Sequence, residues 1–314
     1  MRDAAADVAA QADYVRIDPA GLRRLAESVA REAEVETNDP AHRPFDDPAT
    51  TLAYVITLDA VNFGSGWFPV LDKIPGRSGY FTISTRLREH FERQGAWSIA
   101  ALVRLRSQDC AAVFGQDPAN AAACELMDLF ARSLSDLGRL LAASGMRGYS
   151  DLVDAASGSA ERLVGLLASA PFYRDVSDYH GRDVPLYKRA QITAADLALA
   201  FDGHGPGRFE DLDDLTMFAD NLVPHVLRCE GVLHYDADLL ARIERGELLP
   251  AGSPEEVEIR AVALHAVEQV VDLLASDGAA APLPARRVDQ LLWNRGQHPA
   301  IKRFARHRTR TVYY

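Results

Sequence analysis

Helix-start signals followed by apolar residues at helical spacing recur along this chain, and they constrain its fold more than any other feature. Ser-Pro-Glu-Glu at 253–256 precedes apolar positions that continue at helical spacing through 257–274. Asp18-Pro19 and Asp117-Pro118 repeat the pairing of a capping residue with a proline, and residues 193–196 resemble a capping box. Such pairings are typical of helix N-termini. The sequence therefore predicts a mainly α protein.

The predicted helices have recognisable ends, and the strand signals are weak. The helix after Asp117-Pro118 is expected to end at Gly145, the helix after 193–196 at Gly203, and a last helix spans 286–295. Residues 54–58 and 80–84 have β-type composition, but each is short enough to be helix or loop. We expect few or no short strands. Residues 15–314 are predicted to form a single compact domain, preceded by an N-terminal extension at 1–14.

Composition excludes several classes of protein. The 314 residues are 48% hydrophobic, which is enough for a substantial core, and the net charge of −11 argues against bulk affinity for nucleic acid. Three cysteines without CxxC spacing give no zinc or iron–sulfur motif, and no histidine pair has metal-ligand spacing on one helix. We therefore expect no metal and no cofactor. No signal peptide and no apolar run of about 20 residues is found, so a cytoplasmic protein without membrane contact is predicted.

The stretch from Gly203 to Asp220 is the first candidate site. A glycine-rich turn at 203–207 leads into an acidic segment, and Asp220 stands in an otherwise apolar helical pattern. Glycines let a backbone approach a ligand, whereas a carboxylate among apolar neighbours is costly without a partner or a chemical role. The turn matches neither a Walker nor a Rossmann motif. The alternatives are a plain helix-to-helix turn and, for Asp213 and Asp214, solvated acids in a first helical turn.

Two further segments have the composition of a binding site. Asp59, Asn62, Phe63 and Trp67 lie close together in the sequence, and such a mixture suits a pocket that stacks a planar ring and reads its polar edge. A buried aromatic cluster beside a turn is the alternative. Lys188 and Arg189 precede a predicted helix and can hold a phosphate. For this pair the alternative is a solvated pair of cations.

The end of the chain is locally basic in an acidic protein. Its cationic residues are Lys302, Arg303, Arg306, His307, Arg308 and Arg310. The cluster can dock an anionic ligand or pair with the acidic excess. No GxSxG motif is present, so serine-nucleophile chemistry has little support.

Several of these segments together resemble the queuosine salvage family. The matching segments, in chain order, are Leu-Asp-Ala-Val-Asn-Phe at 58–63, Tyr-Lys-Arg-Ala-Gln at 187–191, Leu-Thr-Met-Phe-Ala-Asp at 215–220, Leu-Leu-Trp-Asn-Arg-Gly at 291–296 and the arginine-rich ending at 307–314. The resemblance covers the chain from about residue 15 onward and leaves the N-terminal segment out.

The resemblance implies a fold related to the helix–hairpin–helix DNA glycosylases. It also implies hydrolysis of queuosine 5′-monophosphate, which releases queuine for reinsertion into tRNA. Asp220 is the implied catalytic carboxylate, by match to the family's Phe-Ala-Asp segment, and Asp214 is its main rival. Queuine is a 7-deazapurine, so it lacks the N7 that is protonated in ordinary purine cleavage. The enzyme is therefore expected to depend on hydrogen bonds to the base edge and on electrostatics at the sugar.

Binding roles follow from the same resemblance. The residues expected to read the base edge are Asp59, Asn62 or Asp214, those expected to stack on it are Phe63, Trp67 or Phe218, and the phosphate is assigned to Lys188 with Arg189 or a C-terminal arginine. Two other functions remain open at this point. One is a DNA-repair glycosylase, which would need a basic face, and the other is a non-catalytic helical module that binds a nucleotide or tRNA. The expected partner is a small nucleotide, without stable nucleic-acid binding.

Overall fold

The computed structural model describes residues 1–32, 43–276 and 283–314. The helices, in chain order, are α1 (Arg2–Gln11), α2 (Pro19–Glu32), α3 (Pro48–Ala60), α4 (Gly79–Gln94), α5 (Ile99–Arg104), α6 (Ser107–Phe114), α7 (Ala121–Ala143), α8 (Tyr149–Ala156), α9 (Ala160–Ala168), α10 (Lys188–Ala200), α11 (Val223–Cys229), α12 (Ala237–Glu244), α13 (Pro254–Ser276), α14 (Ala285–Arg295) and α15 (Pro299–Lys302). The strands are β1 (Val15–Ile17), β2 (Val176–Tyr179), β3 (Arg182–Pro185) and β4 (Leu233–Tyr235).

The prediction of a mainly α protein with few short strands is confirmed. The strands form two antiparallel pairs, β1 with β4 and β2 with β3. Residues 54–58 and 80–84, whose composition left helix, strand and loop open, lie within α3 and α4. The relation to the DNA glycosylase fold stays a prediction.

Local capping signals located several helices correctly. Asp18 accepts the backbone N–H groups of Ala20 at 3.2 Å and Gly21 at 2.9 Å, and α2 begins at Pro19 as expected. Helix α13 begins at Pro254, and α14 ends at Arg295 before Gly296. In these cases the residue that satisfies the first free N–H groups, or ends the helix, is adjacent in sequence.

Two predicted helix starts are wrong. Helix α7 begins after Asn120, whose side chain accepts the N–H of Ala123 at 3.1 Å, because Asp117 is used in the preceding turn by the N–H of Ala119. Thr193 lies inside α10, and its hydroxyl donates to the carbonyl of Arg189 at 2.9 Å. Helix α10 instead begins at Lys188, so the capping-box pattern at 193–196 was misleading.

The described residues form two compact units. Unit 1 comprises residues 1–32, 175–188, 213–276 and 283–310, and unit 2 comprises residues 43–174, 189–212 and 311–314. In unit 1, helices α1, α2, α11 and α14 and strand β1 pack against α13, which supplies much of the buried apolar surface. In unit 2, α5, α6 and α3 pack against α7. The prediction of a single domain over 15–314 stays a prediction.

The segment predicted as an N-terminal extension packs within unit 1. Ala5 and Val8 of α1 are buried against α13. Just after α1, the buried carboxylate of Glu258 accepts backbone N–H groups from residues 13, 14 and 15 at 3.2, 2.7 and 3.1 Å. The hydroxyl of Tyr179 donates to the same carboxylate at 2.9 Å. Residues 1–14 therefore contribute both apolar surface and hydrogen-bond donors to the core of unit 1.

A charge placed on the inner face of α1 should destabilise the protein. We expect Val8→Asp to lower the free energy of unfolding by at least about 3 kcal/mol, because it buries a carboxylate without a partner. Ala10→Asp, at an exposed position of the same helix, should cost within about 1 kcal/mol. Urea unfolding followed by circular dichroism measures both. Equal losses in the two variants would contradict the packing of α1.

Candidate active site

Asp220 lies in an irregular segment that ends at helix α11. Residues 215–219 are buried, whereas Asp220 is half-buried. The predicted helical pattern around Asp220 is wrong, because Pro224 has no N–H group and fits only the first turn of a helix, so α11 begins at Val223. Asp220 Oδ1 accepts the N–H groups of Leu222 at 2.8 Å and Val223 at 2.9 Å. The carboxylate is thereby held in a fixed orientation at the start of α11.

The chain is also fixed on both sides of Asp220: before it by two side chains from elsewhere in unit 1, and after it by the Asn221 side chain, which donates to a backbone carbonyl. The three contacts are Phe218 N–H to Asp289 Oδ1 at 3.0 Å, Arg260 Nε to the carbonyl of Ala219 at 2.9 Å, and Asn221 Nδ2 to the carbonyl of His307 at 3.1 Å. Each of these partners is buried. A carboxylate on so constrained a backbone needs little reorganisation to act, which is the arrangement that electrostatic catalysis requires.

One oxygen of Asp220 accepts both hydrogen bonds, and a cation lies close to the carboxylate. Within residues 1–32, 43–276 and 283–314, both hydrogen bonds to this carboxylate end on Oδ1, and Oδ2 accepts none. The nearby cation is Arg306. Burial lowers the pKa of its guanidinium, and the negative charge of Asp220 opposes that change. The C-terminal basic cluster thus places one arginine within electrostatic range of the candidate carboxylate.

The two buried histidines nearest this segment are neutral. Burial, together with the positive charges of Arg260 and Arg306, lowers the pKa of His307 to about 3. Burial also lowers the pKa of His225 to about 4, against a raising contribution from its bond to the carbonyl of Ile301. Neither side chain is in the imidazolium form near neutral pH, so neither can serve there as an imidazolium general acid.

Lys188 is placed in unit 1 by a buried carboxylate. It is the first residue of α10 and only 5% exposed, and its backbone N–H donates to Asp175 Oδ2 at 3.1 Å. Because Asp175 supplies the cap from 13 positions away, the start of α10 has no local sequence signal. Lysines are rarely buried to this degree, so Lys188 does not belong to a solvated pair of cations.

Arg189 points its guanidinium at main-chain oxygens of unit 2. Nη1 donates to the carbonyls of Asp59 at 3.3 Å and Ala60 at 2.6 Å, at the C-terminal end of α3, and Nη2 donates to the carbonyl of Phe172. The guanidinium also lies 4.8 Å from the ring centre of Phe63. Arg189 therefore holds the end of α3, where the other predicted binding residues begin, and its phosphate role stays a prediction.

The structure brings Asp59, Asn62 and Phe63 together with Arg189 in unit 2. Asn62 Nδ2 donates to Asp59 Oδ1 at 3.3 Å, and Asp59 is fully buried. Phe63 packs edge-on against Phe130, with ring centres 5.0 Å apart. The rings of Phe63 and Trp67 are buried, and Trp67 Nε1 donates to Glu125 Oε2 at 2.9 Å. The polar pair and the aromatic rings are thus part of a packed cluster, and their substrate contacts stay predictions.

In contrast to the anchored segment at Asp220, Asp214 is exposed, and the glycine turn is explained by its own geometry and packing. Asp214 ends the short 3₁₀ helix Leu212–Asp214 and is exposed, and Arg2 Nη2 donates to its carbonyl at 2.9 Å. Gly203 and Gly205 adopt the left-handed conformation, with φ of 68° and 51°. A side chain at Gly207 would come within 2.5 Å of the carbonyl oxygen of Leu197. Turn geometry and tight packing therefore account for these glycines.

Sequence reasoning missed Asp175, Arg260 and Asp289, and it named Arg306 only as one of several C-terminal arginines. A signal existed for Arg260, which stands among buried apolar positions of α13 just as Asp220 stands among apolar neighbours. The same principle, that a charge among apolar residues needs a partner, applies to both.

Neither a metal-binding cluster of side chains nor a membrane-spanning helix occurs in the part of the chain that the structure describes. There, no cluster of three or more histidine, cysteine, aspartate or glutamate side chains is arranged to hold a metal ion. Every described helix is too short or too polar to span a bilayer.

Fold and site together define a helical protein built around a fixed carboxylate with an arginine nearby. The chain belongs to the queuosine salvage protein family, whose model matches residues 42–314. It is 38% identical over 313 residues to the queuosine 5′-phosphate N-glycosylase/hydrolase of Sphaerobacter thermophilus, covering 98% of this chain and 95% of that protein. It is 31% identical over 339 residues to the Mus musculus protein of the same name, covering 100% and 98%. The resemblance seen in the sequence motifs is confirmed.

Proposed function

We propose that this chain hydrolyses the N-glycosidic bond of queuosine 5′-monophosphate and releases queuine for salvage into tRNA. Family membership and near-full-length relatives named as queuosine 5′-phosphate N-glycosylase/hydrolase support the reaction. Within the chain, the proposal depends on one observation: the Asp220 carboxylate is fixed through Oδ1 while Oδ2 is left for a ligand.

The reaction needs a negative charge at the sugar more than it needs a strong acid. As the bond from C1′ to the base nitrogen breaks, positive charge develops on the ribose, and a fixed carboxylate stabilises it. In the proposal, Asp220 Oδ2 faces C1′ and stabilises this charge. Water supplies the oxygen that bonds to C1′, and its proton balances the charge on the departing base. Preorganisation of the segment keeps the carboxylate from relaxing toward water.

The leaving base is proposed to be stabilised by hydrogen bonds along its edge. A 7-deazapurine has no N7 to protonate, and the buried histidines of unit 1 are neutral. Edge contacts from Asp59, Asn62 or Asp214 and stacking on Phe63, Trp67 or Phe218 stay predictions. Among these, Phe218 belongs to the same anchored segment as Asp220.

The 5′-phosphate is proposed to bind Lys188, with Arg189 or a C-terminal arginine as a second cation. Of the C-terminal arginines, Arg306 is favoured, because its charge interacts with that of Asp220. Arg189 has less support, since its guanidinium bonds carbonyl oxygens of unit 2.

Loss of the Lys188 ammonium should weaken binding of the phosphate. We expect Lys188→Ala to raise KM for the monophosphate about tenfold or more, with a much smaller effect on the unphosphorylated nucleoside, because an ionic hydrogen bond is removed from one substrate only. Initial rates with the two substrates give the two KM values. Lys302→Ala, at an exposed lysine, is the matched control and should leave both KM values unchanged. Equal increases for the two substrates would exclude a phosphate contact.

Incubation of queuosine 5′-monophosphate with the wild-type protein, followed by chromatography, tests the proposed activity. Free queuine is the expected product. Binding of the nucleotide without release of queuine would identify a non-catalytic binding module. Salt-dependent binding and base release from duplex DNA would instead indicate a DNA-repair glycosylase. A cytoplasmic location, and a nucleotide rather than a nucleic acid or membrane as partner, belong to the same proposal.

A further inference from the structure

We propose that the buried ion pair between Arg260 and Asp175 positions the two groups assigned to the reaction, the Asp220 carboxylate and the Lys188 cation. This inference rests on the proposed function. Arg260 and Asp175 are positioning residues, since they act through the backbone of the segments that bear these groups. All four residues belong to unit 1.

All three guanidinium nitrogens of Arg260 bond groups inside the protein. It is 1% exposed, and Nη1 and Nη2 bond the two oxygens of Asp175 at 3.1 and 2.7 Å. Nη1 also lies 3.5 Å from Glu256 Oε1, one turn earlier on α13. The third nitrogen, Nε, donates to the carbonyl of Ala219, the residue directly before Asp220. A planar fork can reach a carboxylate with two nitrogens and a carbonyl with the third, which a lysine cannot do.

Asp175 completes the connection to Lys188. It is 2% exposed, and its Oδ2 accepts both Arg260 Nη2 and the backbone N–H of Lys188. Its carbonyl accepts the N–H groups of Leu186 at 2.9 Å and Tyr187 at 3.3 Å. Tyr187 has a φ of 47°, a left-handed conformation that a bulky residue rarely adopts unless its surroundings impose it. Asp175 therefore fixes the strained turn from which Lys188 emerges.

One ion pair thus joins two segments that are distant in sequence. Arg260 lies 41 positions from Ala219 and 85 positions from Asp175. Through these contacts, a shift of the fork moves the backbone of Asp220 and the start of α10 together. Reacting groups tolerate little displacement, because a misplacement of about 1 Å can cost about 100-fold in rate.

Stability alone is a weak reason for this arrangement. Charges in a protein interior are costly to desolvate, and a buried ion pair replaced by well-packed apolar residues often leaves stability unchanged or improved. The specific consequence of the Arg260–Asp175 pair is geometric, since both ends of the network finish on the backbone beside a residue of the proposed reaction. The geometry therefore points to positioning.

The matched control is Glu258→Gln. Glu258 lies two positions before Arg260 on the same helix, is equally buried, and bonds the backbone of residues 13–15 and Tyr179 instead of Ala219. Arg260→Lys keeps the positive charge but loses the fork. We expect Arg260→Lys to lower kcat about 100-fold and, because the fork also holds Asp175, to raise KM for the monophosphate more than KM for the nucleoside. Glu258→Gln should lower Tm and leave kcat near that of the wild type.

A double variant separates positioning from loss of structure. If Arg260 acts through Asp220, Arg260→Lys should have little further effect in a protein that already carries Asp220→Asn, because coupled residues are not additive. A structural defect would instead lower the residual rate of Asp220→Asn by the same factor as it lowers the wild-type rate. Asp175→Asn provides a second variant, which keeps the bond from Arg260 to Ala219. It should raise KM for the monophosphate more than KM for the nucleoside.

Positioning is contradicted if Arg260→Lys keeps kcat near that of the wild type, as is expected of Glu258→Gln. It is also contradicted if Arg260→Lys lowers the rate by the same factor in a protein that already carries Asp220→Asn. If Arg260→Lys does not fold, the inference is tested by the KM values of Asp175→Asn for the monophosphate and for the nucleoside. Equal changes in the two KM values overturn the inference. These results differ from failure of the proposed function, which would show as no queuine from the wild type or as an active Asp220→Asn protein.

Discussion

Replacement of Asp220 by asparagine is expected to lower the rate of queuine release by about 10³-fold, equivalent to roughly 4 kcal/mol of transition-state stabilisation. Asparagine keeps the size of the side chain and an oxygen that can accept the N–H groups of Leu222 and Val223. The fold should therefore be preserved while the negative charge that is proposed to face the sugar is lost. Chromatography at saturating queuosine 5′-monophosphate measures kcat directly.

Asp213→Asn is the matched control for this prediction. Asp213 is an exposed carboxylate nearby in the sequence to which no role in the reaction is assigned, and its replacement should leave the rate close to that of the wild type. Circular dichroism and Tm establish that both variants are folded. An Asp220→Asn protein with near wild-type turnover would remove Asp220 from the mechanism. If Asp214→Asn were then inactive, the catalytic role would move to Asp214.

Acidification from pH 7 to pH 5 is expected to destabilise the protein by roughly 4 kcal/mol through His225 and His307, about 2 kcal/mol from each. Burial, as the largest cause, lowers the pKa of the two side chains to about 4 and about 3 in the folded protein. In the unfolded chain both titrate near the ordinary value of about 6.5. Below that pH the unfolded state binds protons that the folded state cannot, so stability falls as the pH decreases.

The charges around these histidines reinforce the effect. Arg228 and Arg306 act on both imidazoles, and Arg260 acts on His307, so their positive charges oppose protonation in the folded state. Urea unfolding at pH 7, 6 and 5 gives the slope of stability against pH. His225→Gln should reduce that slope, because glutamine does not titrate. A slope that is unchanged in His225→Gln would contradict the assignment of this titration.

Local signals in the sequence predicted the parts of the fold that depend on neighbouring residues. Asp18 caps the helix that starts beside it, and α13 and α14 begin or end where the adjacent residues indicate. The same reasoning failed at α10, because the cap on Lys188 comes from Asp175. It also failed around Asp220, where an apolar pattern typical of a helix belongs to a buried irregular segment.

The candidate site likewise contains a residue that the sequence could single out and others whose place only the structure shows. Asp220 could be singled out because a carboxylate among apolar residues is costly wherever the chain folds. Arg306 could not be chosen from a cluster of similar C-terminal cations, since selection depends on which arginine lies near Asp220. Arg189 looked like half of a basic pair, yet its neighbour Lys188 is held by Asp175 while Arg189 itself bonds the carbonyls at the end of α3.

The sequence by itself determined the helical class, the family and the identity of the candidate carboxylate, because helix periodicity, capping and motif order are properties of residues close together in the chain. Only the tertiary structure decided how that carboxylate is held, that residues 1–14 complete the core of unit 1, and that Arg260 and Asp175 join two segments of the site. Such contacts link residues up to 85 positions apart. They leave no periodic pattern, because their geometry exists only after the chain has packed.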